Sequence, residues 1–144
     1  MSIGKIESVA VTGPTRLEIG SDDGRRIAVD LAGPIAAHAP LAPLRDDVEF
    51  ARVTVSTDGW SLEWPCGIDF GAVQLRRWAD EQAGEIMAPP AFRAWLDRHA
   101  MTLDEAANAL GLSRRMVAYY LSGEKPIPKT VMLATAGFEA REAV

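Results

Sequence analysis

Cysteine is almost missing from this chain. Cys66 stands alone among 144 residues, so neither an intramolecular disulfide nor a multi-thiolate zinc site can be built from it. Histidine is nearly as scarce, and His38 and His99 show no ligand spacing such as H-x-x-x-H. Long apolar runs are also lacking. The longest uncharged stretch, Leu31 to Leu44, is interrupted by Gly33, Pro34, His38, Pro40 and Pro43. Val131 to Phe138 is short and broken by Thr135 and Gly137. Neither approaches the length of a membrane span. Met1 to Glu7 lack the basic and apolar regions of a secretory signal. These absences lead to the expectation of a cytoplasmic protein without a membrane partner.

Catalytic patterns are missing too. Gly20 and Gly24 do not complete a G-x-x-x-x-G-K phosphate loop. Cys66 has no C-x-x-C partner and reads as a packed or loop thiol. Asp22, Asp23, Asp46 and Asp47 read as turn acids, with no Ser or His partner in a recognisable motif. The chain is expected not to be an enzyme and to need no metal and no cofactor.

What is present is ordinary globular composition, 48% hydrophobic and 24% charged, at a length that suits one or two small domains. The net charge of −5 argues against holding nucleic acid by bulk charge alone. The charge is unevenly distributed. Residues 1–84 carry eight basic residues against thirteen carboxylates, whereas residues 85–144 carry seven of each. Within the second half, residues 89–130 hold six basic residues against four acidic ones. The asymmetry points to two domains with different tasks, 1–84 and 85–144.

The first half reads as a small sheet. Ile6, Val9 and Val11 form a partly alternating run that Gly13-Pro14 ends. Leu17 and Ile19 alternate with charge, Asp22-Asp23-Gly24 is a turn signal, and Arg26 to Leu31 returns as a partner strand. Gly33 to Pro43 fits a short helix or a loop. Val48 to Val55 resumes strand character, and Asp58-Gly59 marks a second hairpin. Trp60, Leu62 and Trp64 recur at period two, which predicts a buried aromatic face; all four tryptophans, with Trp78 and Trp95, read as core. Val73, Leu75, Trp78 and Ala79 suit a helix over Gly71 to Ala83.

Asp30-Leu31, Pro34-Ile35, Leu44-Arg45-Asp46 and Leu62-Glu63-Trp64-Pro65-Cys66-Gly67-Ile68-Asp69-Phe70 occur in an order that resembles a small bacterial family of domains of unknown function. That family closes on L-x-W-P-x-G-x-D-L, and Phe70 stands here where it has Leu. The resemblance implies an α+β domain, a small antiparallel sheet with one or two helices. It also implies an antitoxin-like or accessory role beside a small toxin-like partner protein.

The second half reads as helices. Glu81 to Pro90 looks like a linker or a helix end. Phe92, Trp95, Leu96 and His99 lie at i, i+3, i+4 and i+7. Thr102 and Glu105 form a capping box for a helix whose apolar face is Leu103, Ala106, Ala107 and Leu110. Gly111 stops it, Leu112 plugs the turn and Ser113 caps the next helix. At 100° per residue from Arg114, Met116, Val117, Tyr120 and Leu121 fall between about 200° and 340°. Arg114, Arg115, Ala118, Tyr119 and Ser122 fall between about 0° and 140°. A helix entering a major groove needs such a face: Arg for guanine edges or phosphate, a short Ala for close approach, Tyr for phosphate or a thymine methyl. Gly123 ends this helix, and Pro128 suits the first turn of a last one carried by Val131, Ala134 and Phe138. Residues 139–144 are a helix extension or a frayed tail.

The run from Thr102 to Gly123 resembles the lambda-repressor-like helix-turn-helix family, over about Ala91 to Phe138. The resemblance implies an all-α DNA-binding domain. By it, Thr102 and Ser113 cap against phosphates, Arg114, Arg115, Ala118 and Tyr119 face bases or backbone, and Lys125 lies on phosphate. Two functions follow as expectations. One is a sequence-specific regulator, a repressor, that binds double-stranded operator DNA as a homodimer through residues 85–144 and uses residues 1–84 for dimerisation or for a partner or ligand. The other is an antitoxin-like interaction module whose acidic first half binds a small partner protein.

Overall fold

The structure is a computed structural model, and it describes residues 4–143. Met1, Ser2, Ile3 and Val144, on which parts of the signal-peptide and tail expectations fall, lie outside them. The chain is mixed α/β, with small antiparallel sheets and several helices, and divides into two compact units, Met1–Gln82 and Ala83–Val144.

In the first unit, β1 (Ile6–Val11), β2 (Arg16–Ser21) and β3 (Arg26–Asp30) form an antiparallel sheet in the order β1-β2-β3. Register sets Leu17 opposite Val29 and Ile19 opposite Ile27, which puts the alternating apolar set on one face. Gly24 takes φ 82° in the β2–β3 turn, and the Asp23 carboxylate accepts from the Arg25 N–H at 3.0 Å. The Asp30 carboxylate accepts from the Ala32 N–H at 2.9 Å and from the Thr15 hydroxyl at 2.7 Å. These bonds, the backbone one foremost, hold its pKa below the ordinary 3.8. They also lead the chain into α1 (Ala32–Ala37), followed by a 3-10 helix over Ala39–Arg45.

The expected strand over Val48 to Val55 begins as the end of a short helix and continues as a turn. The Asp46 carboxylate accepts from the Val48 N–H at 2.9 Å and starts α2 (Asp47–Phe50), so only β4 (Thr54–Val55) is extended. This short turn buries Phe50, whose carbonyl accepts from the Trp64 indole N–H at 3.0 Å, and leaves Val48 exposed. β5 (Ser61–Glu63) and β6 (Asp69–Gly71) complete a second sheet in the order β4-β5-β6. Leu62 and Trp64 are buried as expected, but Trp60 is not core. It is 44% exposed in the turn before β5, with the Lys5 ammonium 5.7 Å from its ring centroid. Its N–H is held by the Asp58 carboxylate, which keeps it in the turn rather than in the strand.

α3 (Ala72–Gln82) packs Ala72, Leu75, Arg76 and Ala79 inward. Val73, expected on that face, lies one position outside this i, i+3, i+4, i+7 set and is 57% exposed. The last residue of α3 ties the helix to the sheet edge: Gln82 accepts from the Asp30 N–H at 2.8 Å and donates to the Asp30 carbonyl at 2.7 Å. Aromatic rings run through the core from Phe50 to Trp64, Phe70 and Trp78, with successive centroids 5.9, 5.6 and 5.2 Å apart.

The second unit is not all-α, because β7 (Ile86–Met87) lies where a linker or helix end is expected. It is followed by α4 (Pro89–Arg98), α5 (Leu103–Leu110), α6 (Arg114–Ser122), β8 (Ile127–Pro128) and α7 (Lys129–Glu142). β7 pairs antiparallel with β8, Met87 opposite Ile127, and Ile127 is buried. Phe92, Trp95, Leu96, Ala106, Val117, Tyr120 and Val131 build the core of the unit. On α7, Thr135 rather than Ala134 faces inward, its hydroxyl returned to the Met132 carbonyl at 2.6 Å; Ala134 is exposed. Ala100 turns the corner between α4 and α5 with φ 51°, a left-handed conformation that an L residue adopts at a cost.

Arg76 is only 7% exposed, its nearest carboxylate oxygen is on Asp23 at 3.9 Å, and its Nε has no partner among the described residues. A buried, poorly paired charge opposes folding, while the apolar stem of the side chain packs. Arg76→Met should therefore leave stability unchanged or raise it by about 1 kcal/mol, whereas Arg76→Ala should lower it by roughly 2 kcal/mol, as measured by urea denaturation.

In the second unit, Arg98 donates from Nε (3.1 Å) and Nη2 to one oxygen of Glu139, and His99 Nε2 lies 3.4 Å from that oxygen. The Arg98 hydrogen bonds hold Glu139 below its ordinary 4.5. A depressed carboxylate stabilises fully above the unfolded value and loses this as pH falls through the lower folded one. Melting temperature should thus fall below about pH 4.5, and Glu139→Gln should flatten part of that slope.

Candidate nucleic-acid interface

The surface formed by the start of α5, the turn and α6 is built from its caps. Thr102 Oγ1 accepts from the Glu105 N–H, and the Glu105 carboxylate accepts from the Thr102 N–H, both at 3.1 Å. This reciprocal pair fixes where α5 begins. Gly111 ends α5 at φ 70°, and its backbone reaches a conformation that a side chain would oppose. Leu112 packs against the core, and Ser113 Oγ accepts from the Met116 N–H at 3.1 Å. Three residues therefore separate two capped helices.

Val117 is 0% exposed and Tyr120 is buried edge-on against Phe92, with ring centroids 6.0 Å apart. With that face of α6 fixed, Arg114, Arg115, Ala118 and Ser122 point outward and Tyr119 lies half-buried beside them. The seven residues singled out from sequence thus fall into two groups. Thr102 and Ser113 sit at the helix starts, and their oxygens are engaged by backbone N–H groups. Arg114, Arg115, Ala118 and Tyr119 lie along α6, with Lys125 in the loop that follows.

Arg115, Tyr119 and Lys125 gather at one ring. Arg115 Nε donates to the Tyr119 hydroxyl at 2.7 Å, and its guanidinium carbon lies 5.5 Å from the ring centroid. The Lys125 ammonium lies 5.1 Å from the same centroid. The Lys125 N–H donates to the Tyr119 carbonyl at 3.4 Å, which ties the loop to the helix end. Ion pairs of this unit join Arg98 and His99 to Glu139, and Arg114 to Asp104 at 4.0 Å. Among the described residues, no carboxylate pairs with Arg115 or Lys125. The outward face of α6 thus presents cations and hydroxyls, with Ala118 leaving the helix backbone open between them.

Sequence reasoning missed two parts of this surface. Asp104, in the first turn of α5, faces Arg114, which side-chain reach across the turn decides and helical spacing does not show. The β7–β8 pairing anchors the loop carrying Lys125 through Ile127; its sequence signal is slight, an isoleucine between two prolines at one end and Ile86-Met87 three and two residues before Pro89 at the other. Among the described residues no group of three or more His, Cys, Asp or Glu side chains is arranged to hold a metal ion, and no helix is long and apolar enough to cross a membrane.

Comparison with known proteins agrees with part of this picture. The chain is 39% identical to a protein of Nitrosomonas europaea whose crystal structure is called that of a "Putative DNA Binding Protein". The similarity covers 94% of this chain and 86% of that one, with a TM-score of 0.53. No curated protein matches the chain. Residues 6–81 match the family described as "Protein of unknown function (DUF2442)", and the match ends before the second unit. It spans the hairpin, the Trp64-Pro65-Cys66-Gly67-Ile68-Asp69 segment and nearly all of α3. The chain therefore belongs to the DUF2442 family.

Proposed function

We propose that this protein is a sequence-specific DNA-binding transcriptional regulator, acting as a repressor, in which residues 85–144 form a lambda-repressor-like helix-turn-helix domain. The observation that carries the reading is the two-faced helix α6, whose buried Val117 and Tyr120 leave Arg114, Arg115, Ala118 and Tyr119 outward after a capped three-residue turn. α6 enters the major groove and Lys125 meets the backbone, while Thr102 and Ser113 bring two helix N-termini toward phosphates. One copy neutralises few phosphates, so the protein binds paired half-sites as a homodimer, and residues 1–84 supply the dimer contact or sense a partner or ligand. The Nitrosomonas europaea relative, described as a putative DNA-binding protein, supports this reading. In this role the protein performs no catalysis and uses no cofactor.

The test is fluorescence anisotropy of the full chain against its own upstream DNA and a shuffled duplex, across salt. Tighter, salt-weakened binding to the upstream DNA is expected; equal and feeble binding to both would sink the reading. Ala118→Glu places a charge where the groove floor must approach. It should cut affinity at least about 100-fold while shifting stability by no more than about 0.5 kcal/mol, since the residue is exposed.

A second reading rests on a different observation. The β5–β6 register sets Glu63 directly opposite Asp69, both exposed, in a half of the chain that carries thirteen carboxylates and eight basic residues. Like charges in that position oppose sheet pairing and favour a cationic neighbour. In this reading the first unit is antitoxin-like and holds a small basic protein encoded beside it. Co-expression of the two with Glu63→Lys/Asp69→Lys should abolish a co-purification that the unaltered chain supports at low salt. Retention of the partner by the double variant would remove this surface from the reading.

A further inference from the structure

Within α6, the outward residues are not equivalent. Arg115 is not a free fork: its Nε is committed to the Tyr119 hydroxyl at 2.7 Å, and its guanidinium lies against that ring. The Lys125 ammonium is brought to the same ring from the loop, which the Lys125 N–H and the burial of Ile127 hold in place. The two cations are thus within about 11 Å of each other, comparable to the screening length of about 10 Å at 0.1 M salt. They repel, and among the described residues no carboxylate neutralises either. Because the Tyr119 oxygen accepts from Arg115, its own proton is left to donate. The remaining guanidinium N–H groups, the ammonium and this hydroxyl are all donors, so a single anion with several acceptor oxygens satisfies them together.

Arg114 is placed differently. It opens the helix, is not tied to Tyr119, and lies 4.0 Å from Asp104 in the first turn of α5. Residues at the start of a groove-entering helix are those that reach base edges, and a carboxylate beside an arginine restricts its rotamers without occupying its whole fork.

We propose that Arg115, Tyr119 and Lys125 form a clamp for one backbone phosphodiester, and that base discrimination on α6 falls to Arg114. The assignment rests on the reading of α6 as the DNA-contacting helix. It gives Arg115 a role that spacing alone leaves open between base and backbone.

The experiment uses the full chain, its preferred duplex, a panel of single base-pair changes and a shuffled duplex, titrated across salt. Arg115→Ala and Lys125→Ala should each weaken binding to every duplex by the same factor, about 3- to 30-fold, and each should lower the salt slope by about one. Tyr119→Phe keeps the ring but loses the acceptor and the proton; it should weaken all duplexes uniformly. Arg114→Ala should weaken the preferred duplex alone and flatten discrimination at one base pair. Melting curves confirm that each variant is folded. Arg115→Ala changing base preference, or leaving the salt slope intact, would overturn the clamp while the DNA-binding reading stands. Absence of salt-dependent binding by the unaltered chain would overturn both. Inorganic phosphate should displace DNA from the unaltered chain more than chloride does at equal ionic strength, and should lose that advantage in Arg115→Ala; an advantage unchanged by Arg115→Ala would overturn the clamp.

Discussion

Val117 has no room to turn. It is fully buried in the cluster of Phe92, Trp95, Leu96, Ala106 and Ala107, and Tyr120 is wedged edge-on against Phe92 one turn later. A helix with two such anchors three residues apart cannot rotate without opening a cavity, which costs several kcal/mol for a large side chain. Everything on the opposite face of α6 inherits its direction from this packing. The caps at Thr102 and Ser113 set where the helices start, and Gly111 sets how sharply the chain reverses, but the core decides which way Arg114 and Arg115 point.

The two units use different physics. The first is held by period-two alternation, by a chain of four aromatic rings and by the two hydrogen bonds between the Gln82 side-chain amide and the Asp30 backbone. Its surface is acidic and includes like charges facing each other across β5 and β6. The second is held by helix caps and by one compact cluster around Trp95, where its carboxylate Glu139 is spent on Arg98 and His99. That leaves Arg115 and Lys125 without a paired carboxylate among the described residues. The net charge of the whole chain therefore hides a local surplus of the opposite sign.

The capped helices and the β2–β3 hairpin were legible from sequence because their signals are local. A Thr three residues before a Glu, a Gly after a leucine, or Asp-Asp-Gly between alternating runs each carries its own hydrogen-bond logic. The Val48 to Val55 segment misleads because β-branched residues suggest a strand while Asp46, just upstream, caps a helical turn. Trp60 and Val73 mislead for another reason: both are apolar at plausible periods, yet each lies one step outside its element's buried set. Ala100 carries no glycine to announce its left-handed backbone, which closes α4 with the Met101 N–H donating to the Leu96 carbonyl at 3.0 Å and the Ala100 N–H to the Asp97 carbonyl at 3.1 Å. At the candidate site, helical spacing placed Arg115 and Tyr119 on one face. Their mutual engagement, and the arrival of Lys125 at the same ring, depend on side-chain direction and on a loop held by β-pairing.

That pairing has a topological result. Because Met87 lies opposite Ile127, the segment preceding α4 and the segment following α6 meet side by side, and the three helices between them are enclosed in a hydrogen-bonded ring of chain. A fragment beginning at Ala88 would contain all four helices and still open that ring. Ile127 would lose its strand partner, and the loop bearing Lys125 would lose its far anchor. The smallest fragment that keeps this ring closed is therefore set by a two-residue strand rather than by the first helix, and its boundary lies at or before Glu85.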